Sequence, residues 1–389
     1  MPMQHTNQET HRCIFLLAGE ASGDLYGGML IKALLEQEPG LKIIAWGGEH
    51  MEKAGAQLLR HYKTMAFMGI LEVVKNLGTI QGLFRECEEV LQSHQPDAFV
   101  GIDYPGFNLK MAKKAKQMGL ATHHYISPSL WAWNKRRVHT IRKHIDQLHV
   151  ILPFEKQWFS NHDVDVNWVG HPLLELESME GVNRSEHAGN ISSYGQSQAP
   201  LLALIPGSRK QEVERLLPVF LKAAQQLPQF TAVVSGAPGL EKEDYQLATD
   251  QGIEIRFGAM RSLMHASSVG LVTSGTATLE AALLGMPQVI CYRTSGLTYH
   301  IAKLLARTPW IGLPNILLQK HVVPERIQQD CDHRTLVEDI NKLHDGEALL
   351  SNGRQQLDQL QPLRNQLQGS GRPSAQVADA ILNHRPRKA

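Results

Sequence analysis

The sequence predicts an α/β protein of two doubly wound domains, each built on a parallel sheet. Three observations predict it. The chain has 389 residues, which is long for a single core and suits about two domains. Short apolar runs alternate with helical patterns along its length, the rhythm of βαβ units. Those runs lack strict polar–apolar alternation, as strands do when helices cover both faces of their sheet.

In the first half the apolar runs at 13–18, 42–46, 97–102, 121–126, 147–152 and 167–169 read as strands. Helical patterns fall between them at 27–36, 69–92 and 109–118. From 177 to 199 the composition turns to Ser, Gly, Asn, Gln and Glu, which reads as a linker or surface insertion. The rhythm restarts with strands at 201–205, 230–234, 253–257, 270–273 and 288–292. The expected organisation is a polar extension (1–11), a first Rossmann-like domain (12–176), the linker (177–199) and a second Rossmann-like domain (200–365). A C-terminal part (366–389) closes it, with an amphipathic helix at 373–382 and the basic residues Arg385, Arg387 and Lys388. Two such domains facing each other would gather strand ends and helix starts around a shared cleft, where open α/β sheets bind ligands.

Composition excludes several classes. Lys plus Arg (39) nearly cancels Asp plus Glu (38), so no overall field points to nucleic acid. The four cysteines (13, 87, 291, 331) form no CxxC pair, which argues against a zinc site and fits a reducing compartment. Nineteen histidines include no HExxH helix. The start, MPMQHTNQETHR, reads as neither a signal nor a transit sequence. No run reaches the roughly 18 uninterrupted apolar residues of a membrane span. The expectation is a cytosolic protein, lying at most on a membrane surface.

Four turns carry the chemistry. In TSGTATLEAALLGMP (273–287) an apolar strand meets a Ser/Gly/Thr turn and a helix starts at once. Backbone N–H groups at Ser274, Gly275, Thr276, Ala277 and Thr278, with the positive helix end, would hold a diphosphate. Glu280, one helical turn inside, would accept hydrogen bonds from ribose hydroxyls. The alternative is a plain N-cap with a surface Glu. A second turn, LIPGSRKQEV (204–213), sets Gly207, Ser208 and Arg209 at a helix start. A cation there is unfavourable without an anionic partner, and a guanidinium binds phosphate bidentately.

The third turn, LAGEASGD (17–24), carries Glu20 between small residues. It is not a GxGxxG fingerprint, and no Walker GxxxxGK occurs. The fourth, GIDYPGFN (101–108), puts Asp103 at the carboxyl end of a buried strand, suited to a general base; a turn-forming Asp before Pro-Gly is the alternative.

Two features point to lipid. Residues 65–84 (MAFMGILEVVKNLGTIQGLF, with Met68, Ile70 and Leu71) carry only Glu72 and Lys75 as charges. Trp131 and Trp133 stand beside Lys135, Arg136, Arg137, Arg142 and Lys143, and aromatics next to cations suit an anionic headgroup layer. A buried helix with a solvated basic face is the alternative. Asp163-Val-Asp165 spells a metal-dependent DxD string but falls away from the nucleotide turns, so no metal and no cofactor are expected.

Together these blocks resemble the lipid-A-disaccharide synthase family. The likeness runs through AGEASGD (18–24), WGGEHM (46–51), MGILEVV (68–74), DYPGFN (103–108), YISPSLWAWNKRRV (125–138) and ILPFE (151–155). It continues through WVGHPL (168–173), IPGSRKQEV (205–213), SGTATLEAALLGMP (274–287), YR (292–293) and LPN (313–315), and covers roughly residues 12 to 384. The polar extension and the 177–199 stretch depart from the family pattern without touching a motif.

The resemblance implies a GT-B fold whose C-terminal helix crosses back to the first domain. It implies metal-independent, inverting transfer from UDP-2,3-diacylglucosamine to 2,3-diacylglucosamine 1-phosphate (lipid X), giving a β-1,6 disaccharide 1-phosphate and UDP. It places the enzyme at the cytoplasmic face of a Gram-negative inner membrane and is compatible with a homodimer. By position Asp103 matches the family's proposed base, and Glu20, Arg209 and Asn315 its other essential polar positions. Ser274, Thr276, Ala277, Thr278, Glu280 and Arg293 match its nucleotide site.

Two other classes compete. A UDP-N-acetylglucosamine 2-epimerase or lipid-II-type glycosyltransferase would share the two-domain plan, yet a soluble epimerase needs neither the 65–84 apolar run nor the Trp-flanked basic run. A nucleotide-binding regulatory module needs no cleft-facing carboxylate.

Overall fold

The structure, a computed structural model, describes residues 12–65, 77–133, 137–179, 199–295 and 308–384. The polar extension, Met68, Ile70, Leu71, Lys135, Arg136, most of the 177–199 stretch and the basic residues 385, 387 and 388 lie outside the described residues, as does the side chain of Trp133. The chain divides into two compact units. Unit 1 takes the described residues up to Glu175 and those from Leu367 onward; unit 2 is Leu176–Gln366.

Unit 1 holds a seven-stranded parallel sheet: Cys13–Ala18 (β1), Lys42–Gly47 (β2), Gln57–His61 (β3), Ala98–Ile102 (β4), Ala121–Tyr125 (β5), Gln147–Val150 (β6) and Asn167–Trp168 (β7), in the order β3-β2-β1-β4-β5-β6-β7. Unit 2 holds six parallel strands: Leu201–Ile205 (β8), Thr231–Gly236 (β9), Glu254–Phe257 (β10), Val269–Thr273 (β11), Gln288–Tyr292 (β12) and Glu325–Ile327 (β13), ordered β10-β9-β8-β11-β12-β13. The expected pair of parallel α/β sheets is present. Two edge strands, β3 and β13, were not anticipated. Their sequences, QLLRH and ERI, carry charges and are only partly buried, so they lack the apolar run that marks the inner strands.

Successive side chains of an inner strand feed opposite layers, as the pleat requires. In unit 2, Leu202 and Leu204 pack with Leu216, Phe220 and Ile340 of the helices Lys210–Ala224 and His333–Leu343. Ala203 and Ile205 pack on the other face with Leu263, Met264 and Ala281. In unit 1, Phe15 and Leu17 pack with Phe99, Phe107 and Met111, while the helix Ala21–Gln37 also packs on the sheet. Strand order reverses direction between β1 and β4 in one unit and between β8 and β11 in the other. These reversals are the topological switch points, where open α/β sheets leave a crevice at the strand C-termini.

The last helix, Pro373–Asn383, returns to unit 1 and lies against the helix Ala21–Gln37. Arg12 donates to the carbonyls of Leu382 (2.6 Å), Ile381 (3.0 Å) and His384 (3.1 Å). Buried Glu175 accepts from Ser374 N at 2.9 Å in the first helical turn, where a carboxylate suits the helix dipole. At the crossing, a Cβ on Gly170 (φ +84°) would meet Gly369 N at 2.6 Å, so the two backbones touch where only glycine fits.

Burial of histidines gives unit 1 a pH limit. His384 Nδ1 lies 3.1 Å from His123 Nε2, and His123 Nδ1 3.4 Å from His149 Nε2, a chain from the last helix into β5 and β6. Burial holds His149 and His171 at about 3 and His124 at about 4, and pushes His123 well below its usual value. Because these native pKa values are depressed, stability is intact above about pH 6.5 and falls as pH drops, when the unfolded chain binds protons the folded chain refuses. Glu155, raised by burial to about 7, opposes this with one proton kept by the folded chain between about 4.5 and 7. The net of about three protons amounts to on the order of 4 kcal/mol per pH unit. The thermal midpoint is therefore expected to fall steeply between pH 6.5 and 5, read by scanning calorimetry; a flat midpoint over that range would show the rings to be protonated in the native state.

Candidate active site

In unit 1 the switch point is built from the ends of β1 and β4, whose last residues Ala18 and Ile102 are paired. Glu20 forms the N-cap of the helix Ala21–Gln37. Gly19 is required by contact: a Cβ there would stand 2.3 Å from Cγ of Tyr104. Tyr104 donates to the Met65 carbonyl at 2.8 Å, and burial together with the Glu20 charge raises its pKa. Asp24, in the same turn as Glu20, is fully buried and accepts from Gly48 N (2.7 Å), His50 N (3.1 Å) and Met51 N (3.1 Å). It therefore locks AGEASGD to the WGGEHM turn.

Asp103 and Tyr104 both adopt φ +47°, two successive non-glycine residues in the left-handed region. Each costs about 1 kcal/mol or more and persists only where neighbours over-determine it. Here Asp103 N donates to the Tyr125 carbonyl at 2.9 Å, and Asn108 Nδ2 donates to the Asp103 carbonyl at 2.7 Å. The half-buried Asp103 side chain is thus displayed at the switch point by backbone that strand continuation would not produce.

Trp131 corrects an expectation. Expected on the membrane or acceptor surface, it does not stand out into a membrane: it is 9 % exposed and packs edge-on against Phe154 at 5.0 Å and 90°. Its sequence neighbours are cationic, whereas its spatial neighbour is a ring. Arg137 is half-buried at the start of the helix Arg137–His144. Asp163 lies at a turn with φ +53° and meets Arg142 at 3.8 Å. No group of His, Cys, Asp and Glu among the described residues could hold a metal ion.

In unit 2 the switch point carries the other two turns, after β8 and after β11. Gly207 (φ +127°) is left-handed, and a Cβ would stand 2.3 Å from Glu212 Oε2. Glu212 accepts from Ser208 N at 3.0 Å and from Arg209 Nη1 at 3.3 Å. This corrects one premise: the helix-start cation of Arg209 already has an anion, Glu212, and does not by itself demand a ligand. With Arg209 39 % exposed, the pair contributes little, about 1 kcal/mol at most.

Ser274 donates through Oγ to the Ile311 carbonyl at 2.9 Å, and Gly275 (φ +152°) caps the helix Thr276–Leu284 with open space where its Cβ would be. Thr276 and Ala277 are half-buried in the first turn, and Thr278 Oγ1 donates back to the Gly275 carbonyl at 2.8 Å. Glu280 is only 5 % exposed and accepts from Arg261 at 2.6 Å, a partner the sequence reading missed. Arg293 donates to the Gln328 carbonyl at 3.2 Å and lines a groove of about 680 Å³ with Arg215, Lys222, Asp332 and His333.

Asn315 was expected to be catalytic. Its amide is fully buried and committed: Nδ2 donates to the Val323 carbonyl and Glu325 Oε1 (both 2.8 Å), and Oδ1 accepts from Val322 N and Val323 N (both 2.9 Å). Glu325 also accepts from Ile311 N and Gly312 N. Asn315 and Glu325 thus hold the 311–312 loop, whose Ile311 carbonyl Ser274 meets.

The sequence profile of lipid-A-disaccharide synthetase matches residues 14–379. The lipid-A-disaccharide synthase of Pseudomonas entomophila (strain L48) is 36 % identical over 380 residues, 95 % of this chain and 97 % of that protein. That of Syntrophus aciditrophicus (strain SB) is 39 % identical over 326 residues, 82 % of this chain and 84 % of that protein. The chain belongs to the lipid-A-disaccharide synthase family.

Lipid-A-disaccharide synthases are glycosyltransferases of lipid A biosynthesis that join UDP-2,3-diacylglucosamine to lipid X. The fold has solved counterparts. A UDP-GlcNAc 2-epimerase from Neisseria meningitidis, bound to UDP-GlcNAc, superposes with a TM-score of 0.64 at 12 % identity, covering 96 % of this chain and 100 % of that one. The glycotransferase of kitacinnamycin gives 0.58 at 13 % identity, covering 97 % and 100 %. At such identities the likeness concerns the fold, which is GT-B-like. For a lipid-A-disaccharide synthase, the turns at 18–24 and 103–108 in one unit and at 205–213 and 274–287 in the other each stand at a switch point.

Proposed function

We propose that Asp103 is the general base of the disaccharide-forming reaction and that the turns of unit 2 hold its UDP. The Asp103 carboxylate takes the proton of the acceptor's 6-hydroxyl as that oxygen bonds to the anomeric carbon of the donor. The bond from that carbon to the UDP oxygen breaks, with inversion, and the β-1,6 disaccharide 1-phosphate and UDP leave. Negative charge grows on the departing diphosphate, where helix-start N–H groups at Thr276 and Ala277 and the Arg209 guanidinium stabilise it. Glu280, held by Arg261, meets the ribose. Glu20, beside Tyr104, stands on the acceptor side with Asp103. The observation that carries this reading is the left-handed Asp103–Tyr104 pair at the switch point, a strained display of a carboxylate that packing alone does not require.

No helix among the described residues is long and apolar enough to cross a membrane. Both substrates carry several acyl chains, so the proposed site of action is the anionic cytoplasmic surface of the inner membrane, approached through the 65–84 segment and the basic run from Lys135. Purified protein given UDP-2,3-diacylglucosamine is expected to release UDP only when lipid X is added, with the disaccharide 1-phosphate seen by mass spectrometry. The release is expected to survive EDTA. Acceptor-independent UDP release, an epimerised sugar nucleotide, or loss of activity on chelation restored by magnesium would each overturn this account.

A further inference from the structure

Beside the site lies a buried carboxylate that the reaction just described does not use. Glu155, in the first turn of the helix Pro153–Ser160, is 2 % exposed. Its Oε1 accepts from Ser127 Oγ at 2.5 Å, and its Oε2 from Leu152 N at 3.0 Å and Ile151 N at 3.3 Å. Among the described residues no Lys, Arg or His forms an ion pair with it. Burial without a counter-charge pushes its pKa up to about 7, and the bonds from Ser127, Leu152 and Ile151 pull it only part of the way back. A carboxylate that only caps a helix needs the backbone N–H groups alone. The bond to Ser127 is the additional feature.

Ser127 follows Ile126, a β-branched residue at φ +67°, an outlier that costs on the order of 1–3 kcal/mol. Ile126 N is held by the His149 carbonyl at 3.0 Å. Four residues on from Ser127, Trp131 meets Phe154, the neighbour of Glu155. The segment from Ser127 to Trp131 is thereby clipped to the helix Pro153–Ser160 at two points. On its other flank β5 pairs with β4, and Asp103 N donates to the Tyr125 carbonyl, two residues before Ser127. Strained backbone therefore stands on two adjacent strand ends, and Glu155 anchors the one next to the base.

We propose that Glu155 is a positioning residue for the lipid acceptor: through Ser127 it fixes the Ser127–Trp131 segment as a wall of the acceptor site beside Asp103. This rests on the reading of Asp103 as the base that meets the acceptor. Glu155 contacts no reacting atom. Removing it leaves Ser127 Oγ only a long 3.5 Å bond to the Pro128 carbonyl and lets the strained turn relax.

The test is steady-state kinetics of the full chain with both substrates varied, for wild type, Glu155→Ala, Glu155→Gln and Ser127→Ala. Glu155→Ala and Ser127→Ala are expected to raise the KM for lipid X by about 10-fold, the scale of one lost buried hydrogen bond, with the KM for the UDP-sugar within about twofold. Glu155→Gln is expected to restore most of the loss, because its amide still accepts from Leu152 N and reaches Ser127 Oγ. Ser127→Ala removes one hydroxyl and keeps the test valid if Glu155→Ala does not fold. Variants with wild-type melting temperatures and an unchanged lipid X KM, or with both KM values raised alike, would overturn the proposal. A wild type that releases no UDP when lipid X is present would instead overturn the reading of Asp103 on which it rests.

Discussion

Replacing Asp103 with asparagine is expected to lower turnover by about 10²-fold to 10⁴-fold, the usual contribution of a positioned general base. Asparagine is nearly isosteric and is among the residues that best tolerate the left-handed region, so the φ +47° backbone survives the change. The bonds from Asp103 N to Tyr125 and from Asn108 to the Asp103 carbonyl are main-chain bonds on the Asp103 side and also survive. What disappears is the capacity to take a proton. The KM for the UDP-sugar is expected to stay near wild type, because no unit 2 group is altered. Measured kcat within about threefold of wild type, in a variant with an unchanged circular dichroism spectrum, would remove Asp103 from the proton transfer.

Arg209→Ala is expected to lower turnover by about 10²-fold, as losing one stabiliser of transition-state charge does. The ion pair with Glu212 makes this test sharper. Since the pair is half-exposed and contributes little to stability, its loss does not unfold unit 2. Glu212 has a second job, accepting from Ser208 N in the Gly207 turn. Glu212→Gln therefore serves as the control: it removes the anion beside Arg209 but leaves a side chain that still accepts from that N–H. A loss in Glu212→Gln as large as that in Arg209→Ala would show that the arginine matters only through its pairing with Glu212, and the charge argument would fall.

Much of this architecture is legible in the sequence. Inner strands such as β1 (CIFLLA) and β12 (QVICY) are almost wholly apolar because both their faces are buried, and their bounds are matched to the residue. The helix Ala21–Gln37 was placed six residues late, because its first two turns contain Gly23, Gly27 and Gly28, which read as loop until the tight approach of Met51 and His50 explains the missing side chains. At the site, legibility followed the backbone. Gly207 and Gly275 mark turns that need positive φ, and such glycines are visible in a string of letters. Side-chain partners are not. Glu280 finds Arg261, Trp131 finds Phe154 and Glu155 finds Ser127 only after the chain has folded, and nothing in local spacing announces those pairings. Asn315 is a further case: a polar residue in a motif looks the same whether it faces a substrate or rivets a loop, and the four bonds of its amide are visible only in the fold.

The return of the helix Pro373–Asn383 to unit 1 bears on how the protein is made. Unit 2 is a single uninterrupted stretch of chain set between the two parts of unit 1. During synthesis from the N-terminus, its last residue leaves the ribosome before the helix that Arg12 and Glu175 must capture. Unit 2 can thus close on itself while the first sheet still waits for one of its covering helices, with the apolar side of the helix Ala21–Gln37 exposed in the meantime. Completing unit 1 requires a contact between residues some 370 positions apart, the most non-local step in the chain and the slowest kind to find by diffusion. Until that contact forms, the newborn protein carries an aggregation-prone surface along the seam between the helix Ala21–Gln37 and the helix Pro373–Asn383.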